Sequence, residues 1–191
     1  MDSNEKFERS ITFSLKWEGG RNFNIVNGNP VIKGNAKADL GGATAFGITW
    51  LTLKSAHKAG IVSHCDICKL TQDEAKLIYR AQYWDKYNWG QIEWPACLCC
   101  LDCCINHGAF ASILQRAANS LGQNLVVDSK FGPKTFAGLK ACNPYELAEK
   151  IHQFRKNYYE KIIARNPSQA VFRDGWLRRN NDMLKECNNH G

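Results

Sequence analysis

The sequence predicts a mainly α-helical (α+β) protein, with a small N-terminal β-hairpin lobe packed on a larger helical lobe. Apolar residues recur at helical spacing, between capping signals, over most of the 191 residues. Near the N-terminus, two short apolar runs flank Asn27-Gly28, the strongest short-range hairpin signal. The hydrophobic content of 44% and charged content of 23% are typical of a globular protein rather than a disordered or fibrous one.

The N-terminal region predicts a helix followed by a hairpin and a loop. The periodicity predicts the helix over residues 4–18, capped by Ser3 or Asn4. Two glycines follow it and are expected to end it, because glycine adopts the left-handed C′ conformation at no steric cost. The hairpin covers residues 23–32, and residues 34–47, rich in Gly, Ala and Asn, are expected to form a loop.

The rest of the chain is expected to be helical almost throughout. Two capping boxes, a proline-started helix and a run of apolar residues define the elements. The first predicted helices run from Thr49 or Thr52 to about residue 59, from Thr71 to about 87, and over 96–107. The capping box formed by Ser112 and Gln115 begins a helix that ends at Gly122. Further helices begin at Pro133, run from Asn143 to about 164, and cover 169–187.

An aromatic stripe and one amide leave two interpretations open. The stripe consists of Tyr79, Tyr83, Trp84, Tyr87 and Trp89. Its helical spacing is typical of a core face, although aromatic rings also stack on sugars in clefts. Asn106 falls at the end of the apolar helix, where a buried amide would need partners. A substrate amide or sugar hydroxyl is one candidate partner.

The charge balance points to an anionic partner. There are 25 Lys and Arg against 18 Asp and Glu, a net charge of +7. Cell wall, nucleic acid and a lipid surface would all suit this charge. We expect no nucleic-acid binding, because no helix-turn-helix, RRM or zinc-finger pattern accompanies the charge. No stable membrane insertion is expected either, since no stretch approaches the roughly 18 uninterrupted apolar residues of a transmembrane helix.

Cysteine is unusually frequent, with nine residues, of which five lie between positions 97 and 104. In an apolar helix, cysteine behaves as a small hydrophobic residue, so most of the nine are expected to be packing residues. His64, Cys65 and Cys68 carry ligand types for zinc or an iron–sulfur cluster, but a second CxxC pair in a loop of its own is missing. We therefore predict no metal and no cofactor. A Cys65–Cys68 disulfide is open only to a protein that leaves the cytoplasm.

Two carboxylates and a hydroxyl form the candidate catalytic group. Glu18 ends the first helix beside Trp17, and Asp39 lies beyond the hairpin, which could fold it back towards Glu18. An apolar surrounding favours the protonated form of a carboxyl group, as a general acid requires. Paired carboxyl groups of different acidity are what glycoside hydrolysis needs. Thr44 could orient a water molecule through its hydroxyl.

The ordered combination of these motifs resembles the glycoside hydrolase family 108 muramidases, a lysozyme-like family whose members were formerly called secretion activators. The resemblance spans nearly the whole chain and rests on five segments: Glu18-Gly19-Gly20, Asp39-x-Gly41-Gly42-x-Thr44-x-x-Gly47-Ile48-Thr49, Leu101-Asp102-x-x-x-Asn106-x-Gly108 with Leu114-Gln115, Asp128-x-x-x-Gly132-Pro133-x-Thr135, and Phe172-x-x-Gly175-Trp176-x-x-Arg179. One departure is Arg21, which follows the glycine pair where the family usually has an aromatic residue.

The resemblance implies a lysozyme-like fold and cleavage of the β-1,4 bond between N-acetylmuramic acid and N-acetylglucosamine. Glu18 matches the catalytic acid, and Asp39 and Thr44 match the residues that manage the attacking water. The implied regions are a catalytic one over residues 1–95 and a peptidoglycan-binding-like one over 96–191, which are expected to form a single compact unit.

The predicted substrate contacts are Phe23, Gly42, Asn106 and Asp128. Turn chemistry alone would also explain Asp128, because Asp and Gly favour a turn and Pro133 starts a helix.

Two other functions remain open. A catalytically silent peptidoglycan-binding or scaffolding protein could keep the same fold, and a cysteine–metal interaction protein would bind zinc or iron without hydrolysis. We expect bacterial peptidoglycan as the partner and a monomeric state. The charged N-terminus is unlike a secretory signal peptide, so we expect synthesis in the cytoplasm and action on the wall after release or dedicated export. Inversion or retention depends on the separation of the carboxyl groups.

Overall fold

The computed structural model describes residues 1–33 and 42–189. These residues form mainly helices, so the predicted fold class is confirmed. The elements are α1 (Ser3–Glu18), β1 (Phe23–Val26), β2 (Asn29–Ile32), β3 (Thr44–Ala45), β4 (Ile48–Thr49), α2 (Trp50–Lys58), α3 (Gln72–Tyr79), α4 (Ala96–Asn106), α5 (Phe110–Asn119), α6 (Pro133–Ala141), α7 (Pro144–Arg165) and α8 (Arg173–Asn188).

The chain divides into two compact units. One comprises Met1–Ser10 together with Tyr87–Gly191, and the other comprises Ile11–Lys86. The unit Ile11–Lys86 contains both small sheets with α2 and α3, and the other unit contains the helices from α4 to α8.

Helix α1 ends at the predicted residue but begins one residue earlier and has a different cap. The Asp2 carboxylate accepts hydrogen bonds of 2.8 Å from the backbone N–H groups of Asn4 and Glu5. Asp2 therefore satisfies the first amides of the helix, and the prediction that Ser3 or Asn4 is the cap is wrong. Aspartate also places a negative charge at the positive end of the helix dipole.

Two short antiparallel hairpins precede α2. In the predicted one, β1 pairs with β2 in the register Phe23 to Ile32, across a turn in which Asn27 and Gly28 have φ of 49° and 79°. The second hairpin pairs β3 with β4, with Phe46 and Gly47 in the turn at φ of 53° and 76°. The prediction of an uninterrupted loop over 34–47 is therefore wrong at its end, while residues 34–41 lie outside the described residues.

Helices α2 and α3 begin at the predicted threonines. The hydroxyl of Thr49 accepts a 3.1 Å bond from the Thr52 amide, and Thr71 forms a reciprocal capping box with Glu74. After Tyr79 the helical path continues as a π-helical segment over Arg80–Trp84 and a 3₁₀ turn over Asp85–Tyr87. The predicted end near residue 87 is right, but the hydrogen-bond pattern changes on the way.

Helix α4 is the fully buried helix that its apolar sequence predicts. Every residue from Ala96 to Cys103 is completely inaccessible to solvent, including four cysteines and Asp102. The Cys99 and Cys187 sulfurs lie 3.4 Å apart where α4 meets α8. The prediction that these cysteines are packing residues agrees with their burial.

Helix α5 begins two residues before the predicted capping box. Ser112 lies inside the helix, where its hydroxyl donates a 3.0 Å bond back to the Ala109 carbonyl. The Gln115 side chain is directed to Asp128 and not to the helix start. The prediction of a capping box here is wrong, because both side chains find other partners.

The last three helices largely follow their predicted starts. Helix α6 has Pro133 at its first position, and α7 has Pro144 at its first position with the Asn143 side chain accepting from two backbone amides. A 3₁₀ segment over Pro167–Phe172 comes before α8, so the final α-helix begins four residues later than expected.

Candidate active site

Glu18 is the last residue of α1, and its carboxylate lies against the turn of the second hairpin. A Cβ atom placed on Gly47 would come within 2.6 Å of Glu18 Oε2 and within 2.5 Å of the Tyr79 hydroxyl oxygen. The two oxygens are therefore no more than about 5 Å apart. Gly47 also has φ of +76°, which disfavours other residues. Only glycine can hold this turn against both groups.

Tyr79 fixes the same turn from the other side. Its ring is buried, and its hydroxyl donates a 3.0 Å hydrogen bond to the Phe46 carbonyl. Helix α3 thereby carries a buried phenol to the hairpin turn that faces the Glu18 carboxylate. This hydrogen bond holds the turn in place beside the Glu18 carboxylate.

Backbone hydrogen bonds join the segment after Glu18 to the second hairpin. The Phe46 amide donates to the Gly20 carbonyl at 3.0 Å, and Arg21 forms a bridge with Ala45. Asn22 completes the junction. Its backbone N–H donates to the Thr44 carbonyl, and its side-chain oxygen accepts a 2.8 Å bond from the Thr44 backbone N–H. The strand that carries Thr44 is thus aligned with the chain that leaves α1.

The predicted residues of this unit occupy different positions. Thr44 is half-buried on β3, and the Gly42 carbonyl accepts a 3.0 Å bond from the Asn22 side chain. Both therefore belong to the junction that follows Glu18. Phe23 is 2% exposed at the start of β1, where its ring is part of the core. Asp39 lies outside the described residues.

Arg21 has a structural contact of its own. One of its guanidinium nitrogens donates a 3.2 Å bond to the Leu70 carbonyl, just before α3 begins. The residue is half-buried, so much of its aliphatic stem is covered. Arg21 thus ties the hairpin segment to the loop before α3.

Asp128 occupies a turn in the other unit. Its carboxylate accepts bonds of 2.9 Å from the Lys130 amide and from the buried Gln115 side chain. These hydrogen bonds, led by the one from Lys130, lower the pKa of Asp128. Gln115 also donates to the Thr135 hydroxyl at 3.2 Å, so the three side chains form one bonded group before α6.

Asn106 is exposed at the end of α4, and the prediction that its amide is buried is wrong. Its side chain donates a 2.7 Å bond to the Asp102 carbonyl one turn earlier, and so closes the helix end. The apolar run before it is buried, but the chain reaches the surface in its last turn. Its predicted substrate contact stays a prediction.

Asp102 is the centre of a buried ionic group that sequence reasoning did not identify. Arg155 donates to one carboxylate oxygen at 2.8 Å and Arg179 donates to the other at 2.7 Å. Burial alone would raise the pKa of Asp102, but the two guanidinium groups hold it well below its usual value. Arg155 also donates to the Tyr159 hydroxyl, whose oxygen lies 3.3 Å from His107 Nε2.

Several of these residues carried a usable signal. Asp102 lies in the middle of an otherwise apolar run, and a charged residue there must have a partner. Gly47 belongs to the motif that begins at Asp39, but only the folded structure shows its contact with Glu18. Nothing in the local sequence marks Asn22, whose partner lies 22 residues away. The aromatic stripe includes Tyr79 but gives no sign of its hydrogen bond to Phe46, 33 residues away.

The cysteines and histidines form no candidate metal centre in the described part of the chain. No cluster of three or more His, Cys, Asp or Glu residues with suitable geometry occurs among residues 1–33 and 42–189. His64 instead lies 3.2 Å from the Glu74 carboxylate, which the Thr71 capping box also holds. Over these same residues, no helix combines the length and the apolarity needed to cross a membrane.

The chain is similar to two known domain families and to a solved structure. A family model described as Glycosyl hydrolase 108 matches residues 11–108, and one described as Predicted Peptidoglycan domain matches residues 110–181. Among solved structures, the chain resembles Brucella abortus SagA with a TM-score of 0.70 and 22% identity, over 96% of this chain and 94% of that one. A search of curated proteins found no match.

The likeness to SagA shows the fold, and the lysozyme-like fold class agrees with it. The two family models support a glycosidase that acts on peptidoglycan. The first of them covers α1 from Ile11 onward, both hairpins and helices α2 to α4, which is just over half of the chain. The protein therefore belongs to the glycosyl hydrolase 108 family.

Proposed function

We propose that the protein is a muramidase that hydrolyses the β-1,4 bond between N-acetylmuramic acid and N-acetylglucosamine in peptidoglycan. The observation that carries this proposal is the Glu18 carboxylate, held at the end of α1 against a turn that only glycine can form. This residue lies within the region that the glycosyl hydrolase model matches. Glu18 is half-buried at a helix end beside two exposed glycines, a stretch of surface along which a polysaccharide chain can bind.

Glu18 acts as the general acid. Its carboxyl proton passes to the glycosidic oxygen as the bond from that oxygen to the anomeric carbon breaks, and positive charge develops on the sugar ring. A water molecule supplies the new hydroxyl group of the muramic acid product. The Gly47 turn and the Tyr79 hydroxyl restrict where the carboxyl group can lie, so that its proton stays directed at one position.

Asp39 and Thr44 have the accessory roles. The Asp39 carboxylate stabilises the charged sugar or takes a proton from the attacking water, and the Thr44 hydroxyl orients that water. Thr44 suits this role because the Asn22 junction fixes its backbone next to the segment that leaves Glu18. A carboxyl separation of about 6.5–9.5 Å would give inversion, and about 5–5.5 Å would give retention.

Peptidoglycan is the substrate that suits the rest of the molecule. A net charge of +7 favours binding to an anionic wall polymer. Residues 110–181 match a model for a peptidoglycan domain. We propose that the enzyme is made in the cytoplasm and reaches the wall by release or dedicated export.

The test compares the wild type with Glu18→Gln on purified peptidoglycan. Removal of the general acid should lower the rate of reducing-end release by about 100- to 10,000-fold, while the fold is unchanged. Mass analysis of the products should find N-acetylmuramic acid at the new reducing ends. Glu149→Gln, which changes an exposed glutamate on α7, is the matched control and should keep full activity.

Three outcomes would contradict the proposal. Unchanged release by Glu18→Gln would remove Glu18 from the mechanism. Absence of release by a folded wild type that still binds peptidoglycan would favour the catalytically silent binding protein. N-acetylglucosamine at the new reducing ends would mean a glycosidase of the other specificity.

A further inference from the structure

We propose that the cleft between α5 and α7 is a binding subsite for an anionic muramyl peptide, the unit of peptidoglycan that carries carboxylates. The inference rests on peptidoglycan being the substrate of the proposed function. The cleft has a volume of about 470 Å³ and is lined by aromatic, amide and cationic side chains from the two helices. This volume is within the range of sites that hold small ligands.

One of the aromatic rings that line the cleft packs against buried residues. Tyr158 is half-buried, and its ring meets the His107 ring edge-on at a centroid distance of 5.4 Å. His107 is itself buried and lies 3.3 Å from the Tyr159 hydroxyl, which belongs to the Asp102 ionic group. The ring therefore rests on a rigid buried layer. A preorganised aromatic face binds the apolar face of a sugar at little entropic cost.

Three exposed polar side chains of the cleft are available to bind a polar, negatively charged ligand. Within the described residues, the side chains of Arg116, Asn157 and Lys161 make no hydrogen bond or ion pair with the protein. The one acid of the cleft, Glu160, is neutralised by a 2.9 Å ion pair with Arg173. Two cations and an amide thus remain to bind the lactyl or peptide carboxylate and the acetamido group of a muramyl peptide.

A second cleft in the same unit has cations but no aromatic ring among its lining residues. It has a volume of about 620 Å³ beside the start of α6, and its lining includes Lys130 and Lys134 as well as Gln115, Asp128 and Thr135. Gln115 donates to both Asp128 and Thr135, so a ligand would have to displace internal hydrogen bonds. The geometry therefore favours the cleft between α5 and α7 over the turn that contains Asp128.

The test measures binding to insoluble peptidoglycan in a Glu18→Gln background, so that the polymer is not digested. Lys161→Ala should weaken binding about tenfold, since it removes one charge-assisted hydrogen bond. Tyr158→Ala should weaken it at least as much. Lys156→Ala is the matched control, because it removes the same charge from an exposed position of the same helix outside the cleft, and it should bind like the parent.

Soluble probes separate charge from sugar recognition. Muramyl dipeptide, which has a carboxylate, should bind to the parent by calorimetry and lose affinity in Lys161→Ala. Neutral diacetylchitobiose should bind more weakly and respond to Tyr158→Ala but not to Lys161→Ala. The affinity for muramyl dipeptide should fall as salt is raised.

Three results would overturn the inference. Lys161→Ala and Tyr158→Ala could bind peptidoglycan as well as the parent. Lys156→Ala could weaken binding as much as Lys161→Ala, which would indicate only a general charge effect. Asp128→Ala could abolish binding while Lys161→Ala has no effect, which would place the subsite in the second cleft.

A different result would separate the two proposals. Failure of the wild type to release reducing ends, with Lys161-dependent binding intact, would contradict the muramidase proposal and leave the subsite standing.

Discussion

Glu18 and Asp102 are two carboxylates with different surroundings. Asp102 is completely buried on α4, and both of its oxygens accept hydrogen bonds from guanidinium groups. Glu18 ends α1, is only half-buried, and is followed by two glycines. The first carboxylate is enclosed by charged partners and holds helices together. The second belongs to a half-buried residue at a helix end, where the chain continues into two exposed glycines. The residue type alone does not distinguish these roles.

The two surroundings also differ in what determines the carboxylate position. Around Asp102, Arg155 from α7 and Arg179 from α8 fix it by direct ion pairs. Glu18 depends instead on a glycine. Because Gly47 has no side chain, the Glu18 carboxylate and the Tyr79 hydroxyl can occupy the space beside the turn. Substitutions at Asp102 should therefore act on stability, and substitutions near Glu18 should act on activity.

The largest expected effect on stability comes from Asp102→Asn. The variant leaves two buried guanidinium groups without a counter-charge, and breaking a buried ion pair in this way costs about 3–5 kcal/mol. Urea unfolding at neutral pH measures the free energy of unfolding. Glu18→Gln should change it by less than about 1 kcal/mol, as expected for a half-buried position. Equal losses in the two variants would remove the distinction between them.

A pH-dependent effect on stability should follow from His107. Burial lowers its pKa from 6.5 to about 3, with Arg155 contributing in the same direction. The folded state therefore binds fewer protons than the unfolded state below pH 6.5. Accordingly, the free energy of unfolding should fall by a few kcal/mol as the pH falls from about 6.5 to about 3.

Thermal or urea unfolding over this pH range in the wild type and in His107→Gln measures the contribution. The variant should be less stable at neutral pH, and its stability should depend less on pH between about 6.5 and about 4.5. Below that range the Asp102 carboxyl adds its own loss, because its lowered pKa favours the folded state only while it is ionised. An unchanged slope in His107→Gln would contradict the assignment to His107.

How much was predictable depends on the distance along the chain between partners. Asn27-Gly28, the Thr71 capping box and Asn143-Pro144 have their partners within a few residues, and each element was predicted with its correct start. Where a distant partner competes, the prediction failed. Gln115 has a capping-box spacing from Ser112, but its side chain bonds to Asp128, 13 residues later.

The candidate site follows the same rule. Glu18, Thr44 and Gly47 were identified through a motif, but the contact that relates Glu18 to Gly47 needs coordinates. The partners of Asp102 lie 53 and 77 residues away, beyond any local pattern. Burial of Asp102 could be predicted from its apolar neighbours, but the identity of the two arginines could not.

The main expected effect on activity among the hairpin residues comes from Gly47→Ala. The added methyl group would meet the Glu18 and Tyr79 oxygens within 2.6 Å, so the carboxylate must move. A displacement of about 1 Å at a catalytic group can cost about 100-fold in rate. Reducing-end release from peptidoglycan measures this loss.

Gly28→Ala is the matched control for Gly47→Ala. Gly28 has a similar φ of +79°, but a Cβ atom there would meet nothing within 4 Å. Both variants should lose about 1 kcal/mol of stability from the left-handed backbone, and only Gly47→Ala should lose activity. If Gly28→Ala were equally inactive, backbone strain in a hairpin and not displacement of Glu18 would explain the result.

The smallest effect concerns the thiols and tests whether the unit around Asp102 is as rigid as its burial indicates. Cys65 is exposed and should react with a thiol reagent at once, followed by the half-buried Cys68 and Cys142. The other six cysteines are buried, and burial raises the pKa of the Cys97 and Cys103 thiols to about 12, which suppresses the reactive thiolate.

Peptide mapping after timed labelling should therefore find α4 unlabelled until denaturant is added, with no loss of stability when the exposed thiols are modified. In Asp102→Asn, the α4 cysteines should become reactive under native conditions, since the loss of the ion pairs increases local opening. Protection that is equal in the wild type and in Asp102→Asn would show that apolar packing alone keeps α4 closed. The Asp102 ion pairs would then contribute nothing to the rigidity that separates this carboxylate from Glu18.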